Sequence, residues 1–501
     1  MKNHLKNTLR HLCLLIAFLS FHLSYSNNVT VSNVTLTGQD AASDFTFVQF
    51  DITWENSWRV SAGPANWDAV WVFVKYRVGS GDWQHAWLEA ATHAAPAGST
   101  ITDGLEDPSS GFNATTNPSL GVFIYRDADG SGTINLTGVQ LRWNYGENGV
   151  DDNDGVDIKV FAIEMVNIPQ ASFFVGSGGS ESGSFTEGDY GGGDPVPLQI
   201  TSEGALTIGT GTGELYGTST SGDNTIGATG TLAAEFPKGF DAIYVMKYEI
   251  SQQGYVDFLN TIDGTQGTAR YPGQTANRHG IIVSGGVYST STPYIACNFL
   301  SWADLAAYLD WSALRPMTEL EYEKIARGTL TPEPNEYAWG TTTLVSNAYT
   351  LSNAGAIDEG IATNYSAGGN ASYDTSDGAI DGPLRNGIFA ANGSNTGRET
   401  SGASFYGVME LSGNLKERYV SVGRTNGRSF TGLHGDGAID ASGDADVTNW
   451  PATTGDGIGE RGGDWFEGSS RLRISDRIDA ALTIASRVSY YGGRGARVDP
   501  N

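Results

Sequence analysis

Between Phe405 and Val420 the chain reads FYGVMELSGNLKERYV. The stretch starts apolar, as a buried strand does, then turns sharply through Ser412-Gly413-Asn414. Gly and Asn tolerate the left-handed backbone that such a turn requires. Glu410 and Glu417 flank it. Two readings follow from the residues alone. One is a solvated tight turn with two surface acids. The other is a seat for a hard cation such as Ca²⁺, in which the carboxylates join backbone carbonyls that the turn points inward.

Further blocks of pattern stand around this one. Ala242–Ile262 reads AIYVMKYEISQQGYVDFLNTI, and Ser301–Gly328 opens SWADLAAYLDW and closes LRPMTELEYEKIARG. Tyr337-Ala338-Trp339-Gly340, Arg461-Gly462-Gly463-Asp464-Trp465 and Gly495-Ala496-Arg497-Val498 follow in that order. With the Phe405–Val420 stretch they resemble, block by block, the sulfatase-modifying-factor family: the formylglycine-generating enzymes and their relatives. That family carries Gly-Leu-Tyr-Asp-Met-x-Gly-Asn-x-x-Glu-Trp, "YPWG", "RGGSW" and a closing "GFRxx". Six ordered blocks over roughly two thirds of the chain are far more specific than a lone motif. The resemblance implies an irregular α+β domain related to the C-type lectins.

Met1–Ser26 reads as a secretion signal, with Lys2, Lys6 and Arg10 before an apolar core, Leu12–Leu23, too short to span a bilayer. The expected location is outside the cytoplasm, secreted or in the periplasm and cell envelope, with no membrane span after cleavage. Losing the signal makes the chain more negative still than its −27. Such a charge disfavours nucleic acid and anionic membranes as partners. Of two cysteines, Cys13 goes with the signal and Cys297 remains, so no internal disulfide forms. Cys297 reads as a small buried hydrophobe. The 67 glycines point to turn-rich structure rather than helical bundles.

Residues 27–160 are expected to form an all-β sandwich. Val29–Leu36 and Phe45–Trp54 alternate, and Ala69–Arg77 (AVWVFVKYR) is aromatic and β-branched. His85–Leu88, Gly121–Arg126, Val139–Tyr145 and Val156–Met165 complete seven short strands separated by turn residues. Trp54, Trp58, Trp67, Trp71, Trp83, Trp87 and Trp143 suggest either sugar stacking or core and rim packing, and packing is favoured because alternate positions must be buried. Asp127-Ala128-Asp129-Gly130-Ser131-Gly132-Thr133 is similar to an EF-hand loop, with Asp127, Asp129, Ser131 and Thr133 as ligands. Gly138 stands where the bidentate Glu belongs, so a weak Ca²⁺ site and a plain Asp/Gly hairpin both stay open.

Residues 161–501 form the second domain, which opens almost without a linker at Glu164–Val175, similar to the family's first strand. Helices are expected after Ser251, Ser301 and Thr318; Thr318 with Glu321 makes a capping box, and Gly328 stops the third. Gly176–Gly193 and Ser202–Gly230 read as mobile Gly/Ser/Thr loops.

The resemblance implies structural Ca²⁺ at two places. One uses the Glu410 and Glu417 side chains with the Gly413 and Leu415 carbonyls. The other uses Asn353 and Asp377 with the carbonyls of Ala354 and Ala379. It also implies copper held by two cysteines just after "RGGS", but Glu467 and Leu472 fall at those places. Copper is therefore not expected, since thiolates are the soft ligands Cu(I) needs. Glu333-Pro334-Asn335 matches a lectin sugar motif by coincidence, and His434, Asp436 and Asp440 read as a solvated turn. Two functions remain. One is a non-catalytic, calcium-stabilised binding or structural module for an unidentified protein or glycan. The other is an oxidoreductase of the formylglycine-generating type, or another enzyme, using Glu467, Asp464 and Arg473 for acid–base work in the old cleft.

Overall fold

The computed structural model describes residues 24–26, 29–90, 92–105 and 119–500. The expected secretion signal lies outside the described residues except for its last three. The strands used below are β1 (Val29–Asp40), β2 (Phe45–Arg59), β3 (Asp68–Val78), β4 (Ser99–Leu105), β5 (Ser119–Arg126), β6 (Gly130–Trp143), β7 (Val156–Ile168) and β8 (Ile243–Met246). Helices α1 (Gln252–Leu259), α2 (Trp302–Trp311) and α3 (Glu319–Arg327) follow, and then β9 (Lys416–Val420), β10 (Ile458–Arg461) and β11 (Ala496–Val498). The chain is mostly β, with several sheets and few helices.

β3 explains the layering. Asp68 to Tyr76 are all buried, so both faces of this strand are covered. Side chains alternate across a strand, and here both sets are mostly apolar, with Asp68 and Lys75 the buried exceptions. Val70, Val72, Val74 and Tyr76 pack with Val48, Phe50, Ile52 and Trp54 of β2. Ala69, Trp71 and Phe73 pack with Tyr255 and Phe258 of α1 and with Trp302, Leu305 and Trp311 of α2. A sheet ordered β11-β8-β7-β3-β5-β4 therefore lies between a smaller sheet (β1, β2, β6) and the helices. All pairings along it are antiparallel.

β7 is shared. Its Val156–Val166 segment pairs with β3 and its Met165–Ile168 segment with β8, which in turn pairs with β11 near the C-terminus. The expected division at 160/161 falls inside this strand. Polar contacts cross the same seam. Lys247 Nζ lies 3.0 Å from Glu164 and 3.5 Å from Asp68, all three buried. Asp68 also accepts from the Trp54 indole at 3.2 Å and the Ser57 hydroxyl at 2.7 Å. The Trp71 indole donates to the Ser312 carbonyl at 2.9 Å.

The helix signals hold. Ser251, Ser301 and Thr318 cap α1, α2 and α3, the last two with full capping boxes, and Gly328 ends α3 in a positive-φ conformation. Cys297 is free and buried. The Gly/Ser/Thr-rich stretches differ from expectation. They fold into a four-stranded sheet of Phe185–Glu187, Leu215–Gly217, Leu206–Ile208 and Gly230–Leu232. Their sparse apolar residues, Phe185, Ile208, Leu215, Ile226 and Leu232, are gathered into one cluster with Leu320 of α3 and Val420 of β9.

Because one sheet serves both halves, they should unfold together. Differential scanning calorimetry is expected to give one transition whose calorimetric and van't Hoff enthalpies agree. Two resolved transitions would show the seam to be weak.

Candidate functional site

The turn that opens the sequence argument is built under backbone strain. Glu410, Gly413 and Asn414 have φ of 56°, 93° and 69°. At Gly413 this is unavoidable, since a Cβ there would come within 2.4 Å of the Ser372 carbonyl oxygen. Glu410 has no such licence, and a long side chain in that region is strained. Its place is fixed by the Met409 amide, which donates to the Lys247 carbonyl at 2.9 Å, and by the Gly387 amide, which donates to Glu410 Oε1 at 2.7 Å.

Charge inside the turn is balanced within the chain. Arg494, fully buried, donates from Nε to Glu417 Oε1 at 2.6 Å. Its Nη1 donates to the carbonyls of Met246 and Lys247, both at 3.2 Å. The Tyr419 hydroxyl takes Glu417 Oε2 at 2.8 Å. Glu249 accepts from the Leu415 amide at 2.9 Å and from the Asn414 side-chain amide. Burial holds Glu249 well above the usual carboxylate range, against the pull of Arg494. Burial likewise pushes Glu410 up to about 7, with Arg494 and the Gly387 amide drawing it down. The sequence neighbours of Glu417 go elsewhere: Arg418 lies over the Tyr491 ring at 4.2 Å, and Lys416 faces another cluster. Ca²⁺ takes six to eight oxygens. Here both Glu417 oxygens and one Glu410 oxygen are already engaged, and a guanidinium sits among the carboxylates. Glu410 Oε2 is buried without a protein partner, and the guanidinium is the cation that the chain itself brings to this turn.

The place of the family's cysteines lies beside β9. Lys416 Nζ is 2.9 Å from Glu467 Oε1, 2.9 Å from Asp479 Oδ2 and 3.6 Å from Glu460 Oε2. Burial works against the Lys416 charge, but Glu460, Asp479 and Glu467 outweigh it and raise its pKa. Arg471 closes the ring at 3.3 Å from Asp479. Asp464 Oδ1 accepts from the amides of Phe466 at 2.7 Å and Glu467 at 3.0 Å. Burial first, and then Glu467, push Asp464 up to about 7. Leu472 is buried in a cluster with Tyr337, Trp339 and Tyr373. About 10 Å³ of space remains among Lys416, Glu460 and Glu467, room for about one water. Asp464 and Glu467 are thus brought together, while Arg473 has its Nε buried without a protein partner.

The other expected ligands are held separately. Ser131 and Thr133 lie in β6, where Ser131 pairs with Trp58, and Asp129 accepts from the Ser61 hydroxyl at 2.6 Å and amide at 3.1 Å. The Asp127 amide donates to the Gly98 carbonyl at 3.3 Å. The turn joins β5 of the larger sheet to β6 of the smaller one, and its Asp129 caps a neighbouring loop. Asn353, exposed beside exposed Ala354, donates to Asp358 at 2.8 Å. Asp377, buried at the end of a short helical turn, accepts from the Asp381 amide at 2.8 Å, and Ala379 is exposed. One acid group escaped the sequence reading. Asp310, in the last turn of α2, is buried with carboxylate oxygens of Asp436 and Asp446 within 4.8 Å. Each Asp310 oxygen accepts a backbone amide, from Asp436 and Asp446, both at 3.1 Å. Only the pairing of a helix residue with a distant loop reveals this group, so no local signal marks it.

Glu410, Glu460 and Asp464 are all raised to about 7 by burial. A carboxyl so raised keeps its proton in the folded state where the unfolded chain has lost it. Its contribution is present at low pH and is lost as pH rises through the folded value. The melting temperature is therefore expected to fall from about pH 5 to about pH 8, and Glu410→Gln should flatten that slope. A melting temperature that rises over this interval, or a slope unchanged by Glu410→Gln, contradicts the assignment.

With the geometry in place, comparison with known families is direct. A family model, the sulfatase-modifying factor enzyme 1-like domain, matches residues 199–497, more than half the chain. No curated protein matches the sequence. The matched segment holds α1 to α3, the Glu410–Glu417 turn, the Lys416 cluster and most of β11. The chain belongs to the sulfatase-modifying-factor family.

Proposed function

We propose that this chain is an exported, non-catalytic member of its family, a binding or structural module at the cell envelope whose old cleft is closed from within. One observation carries the reading: Glu467 and Leu472 stand where formylglycine-generating enzymes carry their cysteines. Copper(I) needs soft thiolates. A carboxylate 2.9 Å from Lys416 and a leucine in the core supply neither a soft ligand nor a nucleophile. Export rests on the pattern of Met1–Ser26, and among the described residues no helix is long and apolar enough to cross a membrane. We read residues 27–160 as a β-sandwich that shares its larger sheet with the family domain. We infer that Arg494, rather than Ca²⁺, neutralises the Glu410–Glu417 turn.

The test is oxidation of a sulfatase-type cysteine peptide by the purified full chain, with and without copper(I). The expected result is no formylglycine above the rate of peptide alone. Turnover by the wild type that survives Cys297→Ala would overturn the reading.

A further inference from the structure

A cleft of about 770 Å³ opens at the seam, well within the range of ligand sites. The loop after β2 supplies one wall, and the segments around Lys247, Arg385 and Arg398 supply the other. Its lining contains Lys247, Arg385 and Arg398 and no Asp or Glu. That is a marked departure in a chain with 56 acids against 29 bases. The Lys247 charge is met by Glu164 and Asp68. The two arginines rest on neutral acceptors. Arg398 donates from Nη2 to the carbonyls of Ala338 at 2.7 Å and Ala326 at 3.1 Å. Arg385 Nη1 donates to the Glu359 carbonyl at 3.4 Å, while the Glu359 carboxylate pairs with Arg278. Burial lowers Arg398 to about 10, against the weaker pull of Glu336, which is the mark of a cation short of counter-charge. A half-buried cation on neutral partners carries a cost, and an arriving anion offsets it.

Charge alone fits any anion; the walls narrow the class. Half-buried Trp58 and Tyr248 line the cavity with aromatic surface, and exposed Asn56 adds an amide that both donates and accepts. Rings beside amides match a sugar, whose CH faces stack and whose hydroxyls need both roles. We propose that the seam cleft binds an anionic sugar, one to three rings bearing carboxylate or sulfate, with Arg385 and Arg398 anchoring the anion and Trp58 and Tyr248 carrying the rings. The inference rests on the reading of the chain as a binding module and adds its ligand class. The two fail separately, because cysteine oxidation tests the old cleft and sugar binding tests the seam.

The experiment is isothermal titration calorimetry of the full chain with four probes: trigalacturonate, its carboxyl-reduced neutral form, a sulfated disaccharide and tetra-aspartate. At least one anionic sugar should bind, about tenfold or more tighter than the neutral form. The carboxylate and sulfate arms decide which anion the arginines prefer. Arg385→Gln and Arg398→Gln should each weaken binding by about tenfold. Should Arg398→Gln fail to fold, Arg385→Gln carries the test, since the hydrogen bond of that guanidinium to a carbonyl is a long one. The proposal is overturned if neither anionic sugar binds, if the neutral form binds equally, or if tetra-aspartate binds as tightly as the sugars. Undiminished binding by a folded Arg385→Gln variant overturns it too.

Discussion

The contact between Arg494 and Glu417 joins parts of the chain that nothing local would bring together. Glu417 sits in β9, Arg494 two residues before β11, and the carbonyls that share the guanidinium belong to the end of β8 and its successor. Glu249 and Glu410 add their charges to the same small volume. Removing one partner of such a buried pair costs about 3–5 kcal/mol, because the other charge is left dry and unanswered. The guanidinium suits this place better than an ammonium would. It stays charged when buried, and its planar fork serves a carboxylate and two carbonyls at once. The strained backbone at Glu410 is tolerated because these bonds over-determine it.

The second constraint is the position of β3. A strand buried on both faces must have a layer on each side. One layer is the small N-terminal sheet and the other is α1 with α2. The N-terminal half is therefore bonded into the family domain through β7 rather than tethered to it. That bonding brings the loop after β2 up to Arg385 and Arg398 and so creates the seam cleft. Lys416, meanwhile, gathers Glu460, Glu467 and Asp479 beside β9.

Much of this was legible in the sequence, and the reasons are local ones. Ser301 announced a helix start as an N-cap, and Thr318 with Glu321 did so as a capping box, because such signals are written within four residues. The aromatic and β-branched run Ala69–Arg77 announced a strand, and the absence of a second mature cysteine fixed Cys297 as unpaired. What stayed hidden depends on distance. The partner of Glu417 lies 77 residues away, and nothing beside Glu417 in the sequence points to it. β4 carries too few apolar residues to stand out, and gains them only by pairing with β5. The short strands between Phe185 and Leu232 are assembled by packing on α3 and β9, which a glycine-rich composition conceals. The seam cleft is invisible for the same reason: Trp58, Arg385 and Arg398 share a wall only after folding.

The claim at the centre is that an internal cation, and not a metal, neutralises the Glu410–Glu417 turn. Thermal melting of the purified protein before and after exhaustive chelation, with metal content determined on the same samples, tests it most directly. The account predicts one midpoint in chelator, in buffer and in added Ca²⁺. A midpoint that falls on chelation and returns with Ca²⁺ would contradict it, since only an ion bound to the folded state stabilises by mass action.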